Sequence, residues 1–429
     1  MSAPDALVYV DLDGNASLAG RLWTHVKGSS RSASFEYDAS WIGAAGHFAL
    51  EPALRVGPGP FHTAPGRALF NAIGDSAPDR WGRTLLARRE RLEAKRAGRA
   101  PRTLLEIDYL LGLSDFTRQG ALRFKREEDG PFLAEGGEHV PPFIELGRLM
   151  AAAERVSGDE ETEEDLRLLL APGSSLLGSR PKASVRSESG GLMIAKFNRV
   201  DDDHDVGRWE GIAMKLAGMA GLNVAPWMVE GVSGRTVFLT HRFDRLDEIR
   251  VPFLSAMSML EAVDGQHRSY MEIADAVRMH SASATEDLQE LWRRVVFTVL
   301  ISNTDDHLRN HGFLYAGEQG WRLSPAYDVN PVPTDVGPRV LSTAIVEGND
   351  RSASIDLAFD AAPHFGLEDH EARGIAEEVA RAAAQWRKVA RGLSASEAEC
   401  DRMASAFEHE DLASLTRDRP ARLSPTRSP

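Results

Sequence analysis

Residues Ser302–Tyr315 read SNTDDHLRNHGFLY, with two aspartates, two histidines and two asparagines between Asn303 and His311. A polar cluster of this density is either a solvated turn or chemistry. The stretch before it, LQELWRRVVFTVLI (Leu288–Ile301), is apolar on most sides, as expected of a helix running through the middle of a lobe. That places the cluster at a buried helix end. A helix stop with Asx-turn chemistry accounts for the first asparagine and aspartate only, and leaves the rest unexplained.

A chain of 429 residues, 42% of them hydrophobic, is too long for one ordinary core and predicts two or three domains. Its single cysteine, Cys400, excludes an internal disulfide, suits a reducing cytoplasm, and reads as a plain helix-face residue. No Cys/His set has zinc spacing. MSAPDALVYVDLDGN lacks a basic and an apolar leader region, and no run approaches the ~20 apolar residues that span a bilayer, so a soluble, unexported protein with no membrane partner is expected. The net charge of −14 argues against nonspecific nucleic-acid binding by the whole surface. Local charge is uneven: Arg80–Arg102 holds nine Lys/Arg against two Glu, and Asp159–Asp165 is DEETEED. Trp81, Leu85, Leu86 and Leu92 fall near helical spacing in the basic stretch. A solvated amphipathic helix is the simpler account, and a phosphate- or partner-facing surface the sharper one.

Along the chain, ALVYVDL and GHFALEP read as strands, with LDGN a hairpin signal after the first. Residues 67–113 turn helical, GALRF (120–124) returns to strand, and 125–142 reads as a linker. A helix ending near Leu170 precedes the Gly/Ser loop APGSSLLGSRPKASV. The strand GLMIAKF follows, and then a helix with Trp209, Ile212, Ala213, Leu216, Ala217 and Ala220 on one face, stopped by Gly221. RTVFLTHRFDR is a further strand. Beyond Asp244 the pattern is mostly helical to about Leu415, and the Pro/Arg/Ser-rich residues 416–429 read as a disordered tail. There are no internal repeats. The expectation is an α+β chain: a small β-rich N-terminal unit (1–125), then two lobes, 135–244 strand-rich and 245–415 helical, with a cleft at the connector His241–Asp244.

Phosphoryl transfer needs a phosphate cradle, a cation on the phosphates, ligands for Mg²⁺ and a carboxylate to orient the attacking hydroxyl. Each has a candidate, in the order protein kinases use. Lys196 lies on the strand MIAKF and Glu210 fourteen residues later near a helix start, although a strand-edge lysine alone usually just reaches for water. Asp305 and Asn310 stand as D-x-x-x-x-N, the internal spacing of the kinase catalytic loop, where the Asp takes the hydroxyl proton and the Asn holds Mg²⁺. Asp306 is the rival base but breaks that spacing. Asp328, in LSPAYDVNP, occupies the place of the second metal ligand, with Tyr327 and Val329 beside it; alone it would be a turn residue. Gly173 and Gly178 have Walker A spacing, yet Ser179 and Arg180 stand where Lys and Ser/Thr are required. Small residues with Arg180 and Lys182 could still cradle anionic oxygens, or form a mobile polar loop.

Taken together, GSSLLGSRPKA, MIAKF, WEGIAMKLAGMAGLNVAP, HRFDR, NTDDHLRNHGF and SPAYDVNP resemble the HipA family, the serine/threonine-kinase toxins of bacterial type II toxin–antitoxin systems. FEYDASWI, DSAPDRWGRTLL, DYLLGLSD and GALRF extend the resemblance to the N-terminus. The resemblance implies a protein-kinase-like two-lobed fold using ATP and Mg²⁺, with Asp305 as base and Asn310 and Asp328 as metal ligands. It implies Lys196 on the phosphates with Glu210 as its charge partner, and Leu177, Gly178, Ser179, Arg180, Pro181 and Lys182 as the phosphate loop. The backbone of His241, Arg242 and Phe243 would hold adenine, with His307 and Tyr327 against the nucleotide. Ser175, or its neighbour Ser174, matches the serine that such kinases autophosphorylate to switch themselves off. The family's connector often begins with an acidic residue where this chain has His241, but backbone recognition of adenine tolerates that. The implied partners are a helix-turn-helix antitoxin dimer of the HipB kind, operator DNA through that complex, and an aminoacyl-tRNA synthetase, often glutamyl-tRNA synthetase, as substrate. Two rival functions are a non-catalytic corepressor bridging antitoxin and DNA, disfavoured because all four catalytic-type residues are present, and a small-molecule phosphotransferase, disfavoured by the N-terminal β unit.

Overall fold

The computed structural model describes residues 3–133, 140–170 and 180–417. The N-terminal unit is a five-stranded antiparallel sheet of β1 (Ala6–Leu12), β2 (Asn15–Lys27), β3 (Ser30–Tyr37), β4 (Pro60–His62) and β5 (Leu122–Lys125), in the order β4-β3-β2-β1-β5. Asp13 and Gly14 both take positive φ (51° and 79°), which is what a two-residue turn matched to strand twist requires, so the LDGN hairpin forms as expected. Short helices α1 (Ala39–Ile42), α2 (Asn71–Asp75) and α4 (Glu106–Leu111) and the long α3 (Arg80–Arg96) complete the unit.

GHFALEP is not a strand. Its backbone and side chains turn inward from a loop: the Leu50 N–H donates to the Tyr37 hydroxyl (3.1 Å), Phe48 stacks on Tyr315 with ring centroids 4.0 Å apart, and Glu51 is buried. Alternating apolar residues here serve core filling, not a ladder. The helix expected to end near Leu170 is two, α5 (Leu146–Ser157) and α6 (Glu163–Leu170), because the acidic run interrupts it: Asp165 accepts from the Thr162 N–H and hydroxyl at 2.8 Å and shapes the start of α6.

The next lobe carries a four-stranded antiparallel sheet, order β6-β7-β9-β8, from β6 (Lys182–Arg186), β7 (Leu192–Phe197), β8 (Trp227–Val232) and β9 (Arg235–His241). Ala183, Val185, Ala195, Phe197 and Leu239 face α5 and α6, and Trp81 and Leu85 of α3 join the same core. Helix α7 (Val206–Met219) covers the opposite face. It lies close: a Cβ at Gly211 would come within 2.5 Å of Val229 and 3.3 Å of Trp227.

Beyond Asp244 the chain is not uniformly helical. A hairpin of β10 (Arg245–Leu246) and β11 (Ile249–Arg250) leads into a small sheet of β12 (Phe253–Ser255), β13 (Gly312–Tyr315) and β14 (Trp321–Leu323). Short α8 (Ala256–Met259), α9 (Tyr270–His280) and α10 (Ala284–Leu300) precede the quoted loop, and α11 (Ile355–Ala361), α12 (Asp369–Ala383), α13 (Trp386–Gly392), α14 (Glu397–Phe407) and α15 (Glu410–Thr416) close the lobe. Helix α10 is buried almost all round, with Trp292, Val295, Val296, Phe297, Val299 and Leu300 inside. One continuous core joins the N-terminal sheet, α7 and these helices. Residues 418–429, most of the expected tail, lie outside the described residues.

The two charge runs meet each other. Arg88 pairs with Asp159 and Glu161 (both 2.6 Å), Arg96 with Glu163, Arg83 with Glu106, and Arg99 with Glu90. Much of the basic charge of Arg80–Arg102 is therefore neutralised within the molecule, and Trp81, Leu85 and Leu86 are buried. The amphipathic-helix reading holds, although the helix is docked and not free. No helix among the described residues is long and apolar enough to cross a membrane.

Candidate active site

The site lies between the four-stranded sheet and the loop after α10. Alternation along β7 sends Ala195 and Phe197 to one core and Lys196 to the α7 face. The start of α7 is fixed by reciprocal bonds: Asp205 accepts from the Arg208 N–H (3.1 Å) and the Asn198 amide (2.8 Å), and Asn198 accepts from the Gly207 N–H (2.8 Å). One turn on, Glu210 meets Lys196. The Lys196 ammonium donates to Glu210 Oε1 at 2.6 Å and to Asp328 Oδ1 at 2.7 Å. Burial works to lower the lysine's pKa, but the two carboxylates outweigh it and hold it raised, so Lys196 stays charged. Asp328 is opposed by burial and lowered on balance by Lys196.

Asp328 sits at φ 56°, a left-handed conformation that costs a non-glycine residue roughly 1–2 kcal/mol and persists only when its surroundings impose it. They do. The Ala326 N–H donates to the Asn223 carbonyl (2.8 Å), the Tyr327 hydroxyl to the Arg309 carbonyl (2.6 Å), and the Asn330 N–H to Asn303 Oδ1 (3.2 Å).

The quoted loop separates its two aspartates. Asp306 is buried and accepts from the hydroxyls of Tyr270 and Thr298 (the latter at 3.2 Å), with the His311 ring nitrogen also at 3.2 Å. It is a scaffold carboxylate. Asp305 points out and is exposed; the partial burial of its carboxyl, opposed by His307 and reinforced by Asp328 and Asp306, raises its pKa from the ordinary value. Asn310 is buried, donates to the Asp305 carbonyl (3.3 Å), and among the described residues leaves its Oδ1 with no hydrogen-bond partner. An orphaned amide oxygen beside carboxylates is the donor that a hard divalent cation takes. Among the described residues no three His, Cys, Asp or Glu could hold a metal unaided. Mg²⁺ is typically held through one or two protein ligands, with phosphate oxygens and water completing its shell. The buried His307 Nδ1 likewise has no partner among the described residues.

At the connector the Arg242 N–H is used by the Leu192 carbonyl (3.0 Å) and its side chain is buried, while the Phe243 ring lies 5.2 Å from Tyr327. His241 is half-buried. Of the expected phosphate loop, Leu177, Gly178 and Ser179 lie outside the described residues, as do Ser174 and Ser175. Arg180 is engaged by both oxygens of Asp202 (2.8 and 2.7 Å), and Lys182 is paired at 2.7 Å with Asp79. Sequence reasoning did not single out Asp79 or the Asp306 donors Tyr270 and His311. Asp79 carried a local signal, an N-cap position before α3, but no spacing reveals a partner 103 residues away.

A family described as the HipA-like C-terminal domain matches residues 174–386, and the HipA N-terminal domain matches residues 10–100. The chain belongs to the HipA family. A putative kinase of Haemophilus influenzae is 29% identical over 98 residues, covering 22% of this chain and 29% of that protein. The putative kinase Y4mE of Sinorhizobium fredii is 25% identical over 131 residues, 28% of this chain and 31% of its own length. The chain thus spans under a third of either relative's length in these alignments. A solved complex of Shewanella oneidensis HipA with HipB and its operator DNA contains a chain of the same fold: TM-score 0.64 at 16% identity, covering 95% of this chain and 96% of that one. The chain therefore shares the mixed α+β fold of that HipA.

Proposed function

We propose that this HipA-family chain is an ATP- and Mg²⁺-dependent serine/threonine protein kinase acting as the toxin of a toxin–antitoxin module. The observation that carries the reading is Lys196 held between Glu210 and Asp328, with Asp305 exposed and the Asn310 amide oxygen unpartnered alongside. In this scheme Lys196 contacts the ATP phosphates, and Asn310 Oδ1 and Asp328 hold Mg²⁺. Bound there, the ion neutralises charge developing on the phosphate oxygens. Asp305 orients a substrate serine hydroxyl and accepts its proton as the bond from oxygen to the γ-phosphorus forms and the bond to the ADP oxygen breaks. The His241–Phe243 backbone takes adenine, with Tyr327 and His307 lining the nucleotide. Arg180 would exchange Asp202 for phosphate when nucleotide binds.

By family resemblance the protein substrate is an aminoacyl-tRNA synthetase, glutamyl-tRNA synthetase first among them, whose modification stops translation and promotes growth arrest and persistence. A HipB-like antitoxin dimer and operator DNA are the proposed partners, and autophosphorylation at Ser175, or at Ser174, is the proposed off-switch. The test is incubation of the purified chain with γ-labelled ATP and Mg²⁺, followed by mapping of the phosphate. Phosphoserine at 174 or 175 that is absent from Asp305→Ala supports the reading. ATP binding with no transfer to itself or to glutamyl-tRNA synthetase would overturn it in favour of a non-catalytic corepressor.

A further inference from the structure

The N-terminal unit touches the proposed nucleotide site at both of its ends. At the first end stands Lys182, last residue of the proposed phosphate-binding segment and cross-strand partner of Lys196. Directly opposed residues of an antiparallel pair share a face, and like charges so placed repel. Asp79, the N-cap of α3, answers that repulsion: it pairs with the Lys182 ammonium at 2.7 Å, and the two side chains are 3% and 2% exposed. Two residues on, the Trp81 indole N–H donates to the Lys182 carbonyl at 3.0 Å. Lys182 is therefore gripped by side chain and by backbone from one helix start.

The second end is the connector. Asp244 is buried, accepts from the Gly120 N–H (2.7 Å) and pairs with Arg242 and Arg245. Arg242 donates to the Thr117 carbonyl (2.5 Å) and Arg245 to the Arg118 carbonyl (2.6 Å). Arg250 reaches the Asp115 carbonyl (2.6 Å). Residues 115–120 of the N-terminal unit are thus held by three buried arginines flanking the backbone proposed to take adenine. A buried ionic cluster of this size is poor evidence of stabilisation, since apolar residues would serve as well; it fixes geometry.

We propose that the N-terminal unit is a working part of the nucleotide site, with Asp79, Trp81 and Asp244 as positioning residues that set Lys182 and the connector for ATP. This rests on the kinase reading above. Because binding free energies are reciprocal, ATP would in turn tighten the N-terminal unit. The test is titration of the full chain with Mg²⁺-ATP by calorimetry, for wild type, Trp81→Phe, Asp79→Asn, Lys182→Met, the Asp79→Asn/Lys182→Met double variant and Asp244→Asn, each checked for folding by its melting curve. Trp81→Phe removes the donor while keeping an aromatic side chain, and its melting curve reads the cost of the smaller ring in a buried site. Expected are an ATP affinity lowered about tenfold by each single change, as sub-ångström misplacement of a binding group produces, a matching rise in KM with kcat nearly retained, and a double variant no weaker than Lys182→Met. Hydrogen exchange at residues 79–83 and 115–120 should slow when ATP is added. Folded Trp81→Phe and Asp79→Asn/Lys182→Met chains that bind ATP as wild type does would overturn the proposal while leaving the kinase reading intact. A wild type that binds no ATP would remove both.

Discussion

At the residue scale two adjacent aspartates sit in opposite environments. Asp305 has an exposed carboxylate and gives the loop no side-chain bond, whereas Asp306 collects Tyr270, Thr298 and His311 in the interior. Their substitutions should therefore fail differently. Asp305→Ala is expected to lower phosphoryl transfer by roughly 10²–10⁴ with the melting temperature and ATP affinity near wild type. Asp306→Ala strands three buried donors and should cost about 1–3 kcal/mol of stability for each one left unsatisfied. If Asp306→Ala melts like wild type and Asp305→Ala does not, the assignment is reversed. The raised pKa of Asp305 also fixes a pH dependence. As the proposed base, Asp305 must be deprotonated, so kcat/KM should fall on the acid side, starting at a higher pH than an unperturbed carboxylate would give. Asp328→Ala should instead weaken binding of Mg²⁺-ATP, and retained affinity would show that its carboxylate holds no metal.

At the scale of elements, legibility followed periodicity. Strand β1, the hairpin after it, β7, α7 with its Gly221 stop and β9 could all be read, the strands as short apolar runs buried almost throughout and α7 from its apolar residues at helical spacing. In the candidate site, order along the chain was informative for some residues: Lys196 meets both Glu210 and Asp328, and Asn310 bonds back to the Asp305 carbonyl. What could not be read were long-range pairings and core-filling loops. Nothing local tells Lys182 that Asp79 awaits it, or tells residues 46–52 to enter the core without pairing. Glu51 shows the consequence. It accepts the Ala72 N–H in the second residue of α2 at 2.5 Å, and burial, helped by Asp75 and Glu261, lifts its pKa from 4.5 to about 7. The folded state thus holds the Glu51 proton more tightly than the unfolded chain does. This stability is fully present below pH 4.5 and is lost as pH rises through 7. Glu51→Gln keeps an acceptor oxygen for Ala72 and should be more stable than wild type by up to about 3 kcal/mol at pH 8, with the difference vanishing near pH 4.5. Equal gains at both pH values would show that Glu51 does not titrate in that window.

At the scale of the whole molecule, the sequence suggests separable domains and the packing does not supply them. The N-terminal unit, through Phe35, Phe70 and Phe124, shares one core with Trp209 of α7, with Trp292 and Phe297 of α10, and with Phe407 near the C-terminus. Buried ion pairs stitch the same surfaces, Asp79 to Lys182 and Asp244 to its arginines, and the Arg67 guanidinium reaches the Glu261 carbonyl. A unit with its own core melts by itself, whereas one that completes another's core cannot leave without exposing it. Heating the full chain should therefore give one cooperative transition involving the N-terminal unit and the helical lobe together. Tryptophan fluorescence, which reports Trp209 and Trp292 deep in the shared core, should change at the same temperature as far-UV circular dichroism. A chain cut back to residue 135 should be poorly soluble and should bind no ATP, because its deletion bares both the apolar face and the buried charges of the connector. Two resolved transitions, with a truncated chain that stays folded and binds nucleotide, would mean that the N-terminal unit is an appendage.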